Sequence, residues 1–460
     1  MSDELTHATS MLPPQDRAQP PTRLPCTGRN RLASNVEGEG SVFKGGRGEP
    51  ALAPAVRNAY TITMLTEELL HQASTIAPRI SALRRAIHAE PELGLDTPLT
   101  LGKVRAELAD LPLVWREGRT TTGAVAILVG NGPGPAVLLR GDMDALPMEE
   151  ATGLYFASSI PGRMHACGHD THTAMLAGAA RILADRRGEF AGEVRFMFQP
   201  GEEGYHGARF MLEDGLLDPL PDAAFALHVM PDQQHGLLAS RTGALLAAAD
   251  QFRITITGRG GHASMPHHTR DPIPVACELV SALQTLVTRR FDAAEATVVT
   301  VARIEAGTAH NVIADRALLQ GTIRTLSPER REAVRAAMIH LAEGLAAAHE
   351  CHAEVEIIEG FPPTINDPRA VDLAERVALS LPAGSFHRLA NPIMGAEDFS
   401  YVLEKVPGAM AFLGVAPEGA DLRDCPSIHS TRMMVDEAAL PRGAAFLAGC
   451  ALRFLEKGWA

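Results

Sequence analysis

Positive charge is in deficit in this 460-residue chain: 42 Lys and Arg stand against 55 Asp and Glu, a formal net charge of −13. An acidic surface disfavours non-specific binding to nucleic acid and to anionic membranes. Outside the first 60 residues there is no basic patch to offset it. Cysteine is scarce too. The six thiols (Cys26, Cys167, Cys277, Cys351, Cys425 and Cys450) follow no framework spacing, which reads as reduced cysteines of a cytoplasmic protein. No apolar run approaches the length that spans a bilayer, and no secretory core precedes Tyr60, so a cleaved export signal is not expected. What the chain does have is 46% hydrophobic residues over 460 positions, enough for a large core and more naturally two domains than one.

Residues 1–63 are rich in Pro, Gly, Ser and Arg without apolar periodicity, and disorder is expected there. Helical spacing begins just after Met64, with Leu65, Leu69, Leu70, Ile76, Ile80, Leu83 and Ile87. Met64 is therefore expected near the native start, with a regulatory or targeting tail as the alternative. A polar turn, His88 to Gly94, leads to a second helix from Pro98 to Leu108. The segment Gly123 to Val129 reads as a strand, and the breakers Gly130 to Pro135 as a hairpin-like turn.

Chemistry then gathers at strand ends. The run Ala136-Val137-Leu138-Leu139 suits a strand buried on both faces. It stops at Arg140-Gly141-Asp142-Met143-Asp144, placing two carboxylates where open α/β sheets bind ligands. The strand from Glu193 to Phe198 stops at Gln199-Pro200-Gly201-Glu202-Glu203. Of two neighbouring carboxylates beside a cation, one can ligate while the other stays free as a base. The apolar strand Ala223 to Val229 carries His228 near its end. Between the first two strands lies Met164-His165-Ala166-Cys167-Gly168-His169-Asp170-Thr171-His172, followed by an amphipathic run from Thr173 to Leu183. Cys167 and His169, two apart, can converge on one zinc-like ion. Each piece alone has a bland reading: an Asp-rich turn, a solvated acidic loop, a core histidine, a structural Cys beside surface histidines. Recurrence of metal-ligand types at successive strand ends is what favours a site.

Residues 250–359 change style. Phe252 to Thr257 alternates as a strand. It is followed by a helix (Ile273–Thr288), strands at Thr297–Ile304 and Ala317–Thr325, a helix from Pro328 to about Ala348, and a strand at Ala353–Ile358. That βαββαβ order is ferredoxin-like. Its first strand ends in a His-bearing loop, Gly258 to His268, which suits reaching a site on another surface or being a plain surface turn. After it come helix Ala370–Leu379, helix Phe399–Lys405, strand Met410–Val415, the loop Cys425 to Ser430, and a closing helix from Asp436 to Leu452.

The motifs Leu139 to Pro147, Met164 to Asp170, Pro200-Gly201-Glu202-Glu203, Gly261-His262-Ala263-Ser264-Met265-Pro266-His267 and Met394-Gly395-Ala396-Glu397-Asp398-Phe399 resemble, in order and from about Met64 onward, the hippurate hydrolase and N-acyl-amino-acid amidohydrolase branch of the aminoacylase–carboxypeptidase metallohydrolases. The resemblance implies an α/β fold: a di-metal catalytic domain with a mixed sheet flanked by helices (residues 64–249 and 360–460), interrupted by a ferredoxin-like lid and dimerisation domain (250–359). It implies two divalent ions (Zn, Mn, Ni or Co) held by Cys167, His169, Glu203, His228 and His429, with Glu202 as general base for a metal-activated water. Distant relatives carry His-x-Asp where this chain has Asp142-Met143-Asp144, and the branch resembled uses the Cys instead, so Asp142 and Asp144 would support ligands rather than bind metal. Asp170 and His172 become support likewise. His262, from the lid or a partner subunit, would donate to the oxyanion, and Asn311, Arg324 and Gly395 would contact substrate. Expected substrates are N-acyl amino acids such as hippurate, handled by a homodimer or higher homo-oligomer. The alternatives are an N-acetyl-diaminopimelate-type deacetylase, a carboxypeptidase, or a catalytically silent metal-binding scaffold, against which the retained Glu202 speaks.

Overall fold

The computed structural model describes residues 66–460, so the expectations for the 1–63 tail lie outside the described residues. Its main sheet has eight strands in the spatial order Leu113–Glu117, Ala124–Val129, Glu193–Gln199, Ala136–Asp142, Ala223–Met230, Gly408–Gly414, Leu238–Ser240 and Phe386–Arg388. The central four, from 193–199 to 408–414, run parallel, and the 113–117 and 124–129 strands pair antiparallel at one edge. Side-chain alternation divides the strands between two cores. Phe196 and Phe198 face one side with Ala126 and Leu128, while Met197 faces the other with Val125 and Ile127.

The turn at 130–135 does not form a hairpin. Strand 193–199 lies between the two strands that flank it, antiparallel to one and parallel to the other. The turn instead caps the entry of that intervening strand, with Gly130 N–H donating to the Gly192 carbonyl and Gly192 N–H to that of Gly132. Breakers mark where a chain turns, and long-range pairing decides which strand is its neighbour.

The amphipathic run expected at 173–183 is a longer helix, His169–Asp185, and it is buried from His169 through Ala184. It packs between the sheet and the helices Ala77–His88 and Leu440–Lys457. Small residues permit this. A Cβ on Gly178 would lie 2.8 Å from Ile80 Cδ1 and 3.2 Å from Ala444 Cβ. The closing segment also departs from expectation. Glu437–Lys457 is long and apolar enough, at mean hydropathy 1.3, to cross a membrane by length and composition, contrary to the reading that no run approaches that length. Its apolar faces are taken up by the protein's own core, with 89% of the window buried.

The strands Ala248–Thr257, Val298–Ala306, Arg316–Thr325 and His352–Ile358 build a separate antiparallel sheet, ordered 298–306, 316–325, 248–257, 352–358. Helices Pro272–Arg290 and Pro328–Ala348 share a core with it. Each begins at a proline behind a side-chain cap, Asp271 accepting from Ile273 N–H and Ser327 from Arg330 N–H. Two chain crossings join this unit to the main body. They are tied together by Ala249 N–H donating to the Phe361 carbonyl, and by the buried Asp250 carboxylate, which takes Arg331, Arg335 and Gly360 N–H.

Candidate metal centre

Three neighbouring parallel strands deliver the site from their carboxyl ends, where the sheet leaves backbone groups and side chains free of strand pairing. Strand 136–142 ends on Asp142, strand 193–199 runs into Glu202 and Glu203, and strand 223–230 carries His228. The Cys167 loop closes over them just before the 169–185 helix. Gly168 sits at φ +90°, and a Cβ there would lie 2.4 Å from Val229 Cγ2, so only glycine lets the loop dip to the sheet. The 425–430 loop is drawn in by His429 N–H donating to the Ala166 carbonyl at 2.7 Å.

Ligand atoms of Cys167, His169 and His228 lie within 4.8 Å of one another, as do those of Cys167, Glu203 and His429, and those of His169, Glu202 and Glu203. Two overlapping triads that share the Cys167 sulfur form a donor set suited to two borderline cations. The hydrogen bonds leave the right atoms unused. His169 Nδ1 donates to the Asp144 carbonyl at 2.8 Å, and its buried Nε2 makes no hydrogen bond among the described residues, with Asp142 Oδ2 3.5 Å and Glu202 Oε2 3.9 Å away. His228 Nδ1 is bonded to the Val229 carbonyl at 2.7 Å, which turns Nε2 toward Cys167 Sγ, 3.3 Å away. Glu203 Oε1 is buried and lacks a hydrogen bond of good geometry among the described residues, although His429 Nε2 stands 3.2 Å off. Orphaned buried atoms are costly, and two of them aimed into one thiol- and imidazole-lined space fit a metal centre.

The carboxylates of the first strand are otherwise engaged. Asp144 accepts the backbone N–H groups of both Glu202 (2.9 Å) and Glu203 (3.0 Å). Asp142 accepts from His172 Nδ1 at 2.7 Å and from Arg140 Nη1 at 2.6 Å. His172 Nε2 in turn accepts Val229 N–H at 2.9 Å. Both its nitrogens are therefore used, and the ring supports the His228 strand. Such outer contacts orient ligating groups. Burial and the neighbouring His172 hold His228 well below the usual histidine range, whereas Asp142 and Cys167 overcome burial and raise His169. Burial, then the charges of Glu397 and Glu203, push the Glu202 carboxyl well above the usual range.

A cavity of about 500 Å³ opens over this cluster. Cys167, Glu202, Glu203, His228 and His429 line it, together with Arg324 and Gly395. Arg324 is half-buried with no carboxylate in ion-pair distance among the described residues, and burial lowers its pKa. His262 and Asn311 are not brought into the cavity. They are exposed on a two-stranded ribbon where His262 pairs with Val312 and Ala263 N–H donates to the Asn311 carbonyl.

Two buried charge networks went unread in the sequence. Arg140 meets Asp142, Glu397 (2.8 Å) and Asp398 (3.1 Å) directly beneath the site, and oxygen atoms of Glu202, Glu397 and Asp398 lie within 4.8 Å of one another. Behind the Cys167 loop, Asp170 accepts from Arg84 Nε and His88 Nδ1, both at 2.8 Å, and His88 Nε2 reaches Glu150 Oε1 at 3.2 Å. Burial lowers the His88 pKa, but Asp170 outweighs it and the ring is raised to about 9. The polar turn at His88 and an arginine inside a core strand were the only local signals, and neither names its partner some 80 or 250 positions away.

This fold, with its two-triad donor set, is an α/β scaffold carrying a candidate two-metal site, and comparison with known proteins places it. Residues 138–453 match Peptidase family M20/M25/M40. The chain is 38% identical to an N-acetylcysteine deacetylase of Bacillus subtilis over 82% of its own length and 97% of that protein's. It is 39% identical to an IAA-amino acid hydrolase of Arabidopsis thaliana, covering 81% and 85%. A crystal structure of a Bacillus subtilis protein described as a dinuclear metal binding peptidase superposes with TM-score 0.74 at 35% identity, covering 84% of this chain and 99% of that one. The chain belongs to the M20/M25/M40 peptidase family.

Proposed function

We propose that the protein is a metal-dependent amidohydrolase that cleaves the amide bond of N-acyl amino acids, hippurate among them. The observation that carries this reading is the meeting, under one cavity, of Cys167, His169, Glu203, His228 and His429, with His169 Nε2 and Glu203 Oε1 buried without a hydrogen bond among the described residues and the Glu202 carboxyl beside them. Cys167, His169, Glu203, His228 and His429 would hold two divalent ions, of which thiolate and imidazole suit zinc, cobalt or nickel, and the carboxylate share also manganese. When bound, such ions polarise a carbonyl and acidify a water.

Glu202 is the general base. Its carboxylate would take the proton of the attacking water and return it to the leaving amine nitrogen. Asp144 keeps the Glu202 and Glu203 backbones in place through two N–H contacts, so base and ligand move together. Arg324 offers its guanidinium to the α-carboxylate. Met230, Leu246, Phe361, Ile393, Phe412 and Ile428 give the cavity apolar walls, which supports an apolar acyl group such as benzoyl. The similarity to a deacetylase keeps a short acetyl group as the second reading.

Residues 250–359 act in this reading as a ferredoxin-like lid and dimerisation unit, with 64–249 and 360–460 as the catalytic body. The exposed His262 and Asn311 reach a site by lid closure or from a partner subunit. A cytoplasmic location, proposed from the free thiols among the described residues, accompanies it. The test is hydrolysis of benzoyl-, acetyl- and long-acyl amino acids with the metal varied. Turnover of benzoyl-glycine is expected; failure on every N-acyl amino acid and dipeptide would overturn the reading.

A further inference from the structure

One polar group in the cavity wall has no part in the chemistry above. His206 lines the cavity three residues beyond Glu203, held at φ +60°. Its ring packs edge-on against Phe361, with centroids 5.0 Å apart, and its Nδ1 lies 2.8 Å from Tyr401 Oη. The phenol oxygen also lies 3.3 Å from the Gly360 carbonyl. A carbonyl can only accept, so the single phenol proton serves that contact. The phenol oxygen then accepts from His206 Nδ1–H, the one assignment that satisfies both contacts. In the neutral ring that leaves Nε2 as an acceptor, and it has no hydrogen-bond partner among the described residues. Burial lowers the ring's pKa, which keeps it neutral.

Its place along the cavity follows from contacts. Arg324 is register-paired with Ala249, Ala249 N–H donates to the Phe361 carbonyl, and Phe361 packs on His206. His206 thus stands on the same rim as Arg324, the amino-acid end of the substrate in the proposed function, on which this step rests. We infer that His206 is a specificity-determining residue, whose Nε2 accepts a hydrogen bond from an N–H or O–H donor on the side chain of the amino-acid half. Tyr401 is a positioning residue that fixes the tautomer. The favoured class is N-acyl amino acids with donor-bearing side chains, over apolar or acceptor-only side chains of the same shape.

The experiment uses the full-length, metal-loaded protein and isosteric pairs with one acyl group: N-acyl threonine against valine, and N-acyl glutamine against glutamate. The expected kcat/KM ratio favours the donor member by about fivefold, the scale of one net hydrogen bond. In His206→Phe the ratio falls to about one. In Tyr401→Phe, where the ring remains but its tautomer is no longer imposed, the ratio falls part of the way. Thermal melts of both variants establish that they are folded, and because Tyr401→Phe leaves His206 and its backbone untouched, it decides the matter if His206→Phe does not fold. A donor preference absent from the wild type, reversed toward glutamate, or unchanged in both variants overturns the inference. If no N-acyl amino acid is turned over, the proposed function fails separately. Calorimetric binding of free threonine against 2-aminobutyrate and valine to wild type and Tyr401→Phe then decides His206: a donor preference that weakens in the variant supports it, and no preference or an unchanged one overturns it.

Discussion

The centre around Cys167 and the ribbon carrying His262 are both histidine-bearing loops, yet they differ in how many contacts within the chain fix their side chains. Around Cys167 the proposed ligands are held by contacts within the chain. Gly168 permits the close approach, Asp144 and Val229 orient the two histidines, and the only buried polar atoms without partners among the proposed ligands point inward. On the ribbon, His262 and Asn311 are exposed, and the nearest fixed partner of the His262 ring is Ser264, whose Oγ lies 2.8 Å from Nδ1. Cys167, His169 and His228 are buried in the first site, and exposed His429 is tied to it by its backbone contact with Ala166. Exposure leaves the second outside the cavity, and its proposed role waits on lid closure or a partner subunit.

Substitutions in the two regions should act differently. The largest effect is expected from Glu202→Gln, which should keep metal, by elemental analysis, and lose on the order of 10²–10⁴-fold in turnover; near-normal turnover would remove Glu202 as the base. Cys167→Ser should lower bound metal per chain, since one sulfur serves both triads. Unchanged metal content would make the loop merely structural. His262→Ala is expected to give a folded protein of the same assembly state with a depressed rate and unaltered metal content, separating the ribbon from the centre. A rate equal to the wild type takes His262 out of the mechanism.

The smallest effect is on stability. His88 is raised to about 9 in the fold, above its unfolded value of about 6.5. A folded pKa above the unfolded one means that its stabilisation is complete below the unfolded value and is lost as pH rises through the folded one. Melting temperature should therefore fall between these two values more steeply in the wild type than in His88→Phe. Parallel profiles would show that the Asp170 contact does not keep the ring charged.

Much of the catalytic half was readable because its signals are local. A strand needs a run of apolar residues, and the carboxyl end of a buried strand is where polar side chains can escape the core, so Asp142, Glu202 and His228 announced themselves by position. The boundaries shifted where capping and packing intervene: the Cys167 helix begins at His169, earlier than its amphipathic run, and the last helix ends at Lys457 rather than Leu452. The short strands at 238–240 and 386–388 passed unseen because three residues carry no periodicity.

By itself the sequence determined the chemical inventory, a cysteine thiol, three imidazoles and paired glutamates on loops and strand ends, and the order of elements that brings them together. Tertiary structure alone decided which atoms are free. His169 and His172 are three apart on one helix, and only their partners, a backbone carbonyl for one and Asp142 with Val229 N–H for the other, separate the proposed ligand from its support. It likewise placed strand 193–199 inside an apparent hairpin, and set Arg140 against carboxylates far along the chain. Hydrogen bonds and ion pairs act over about 3 Å in space, and separation along the chain carries no record of that distance.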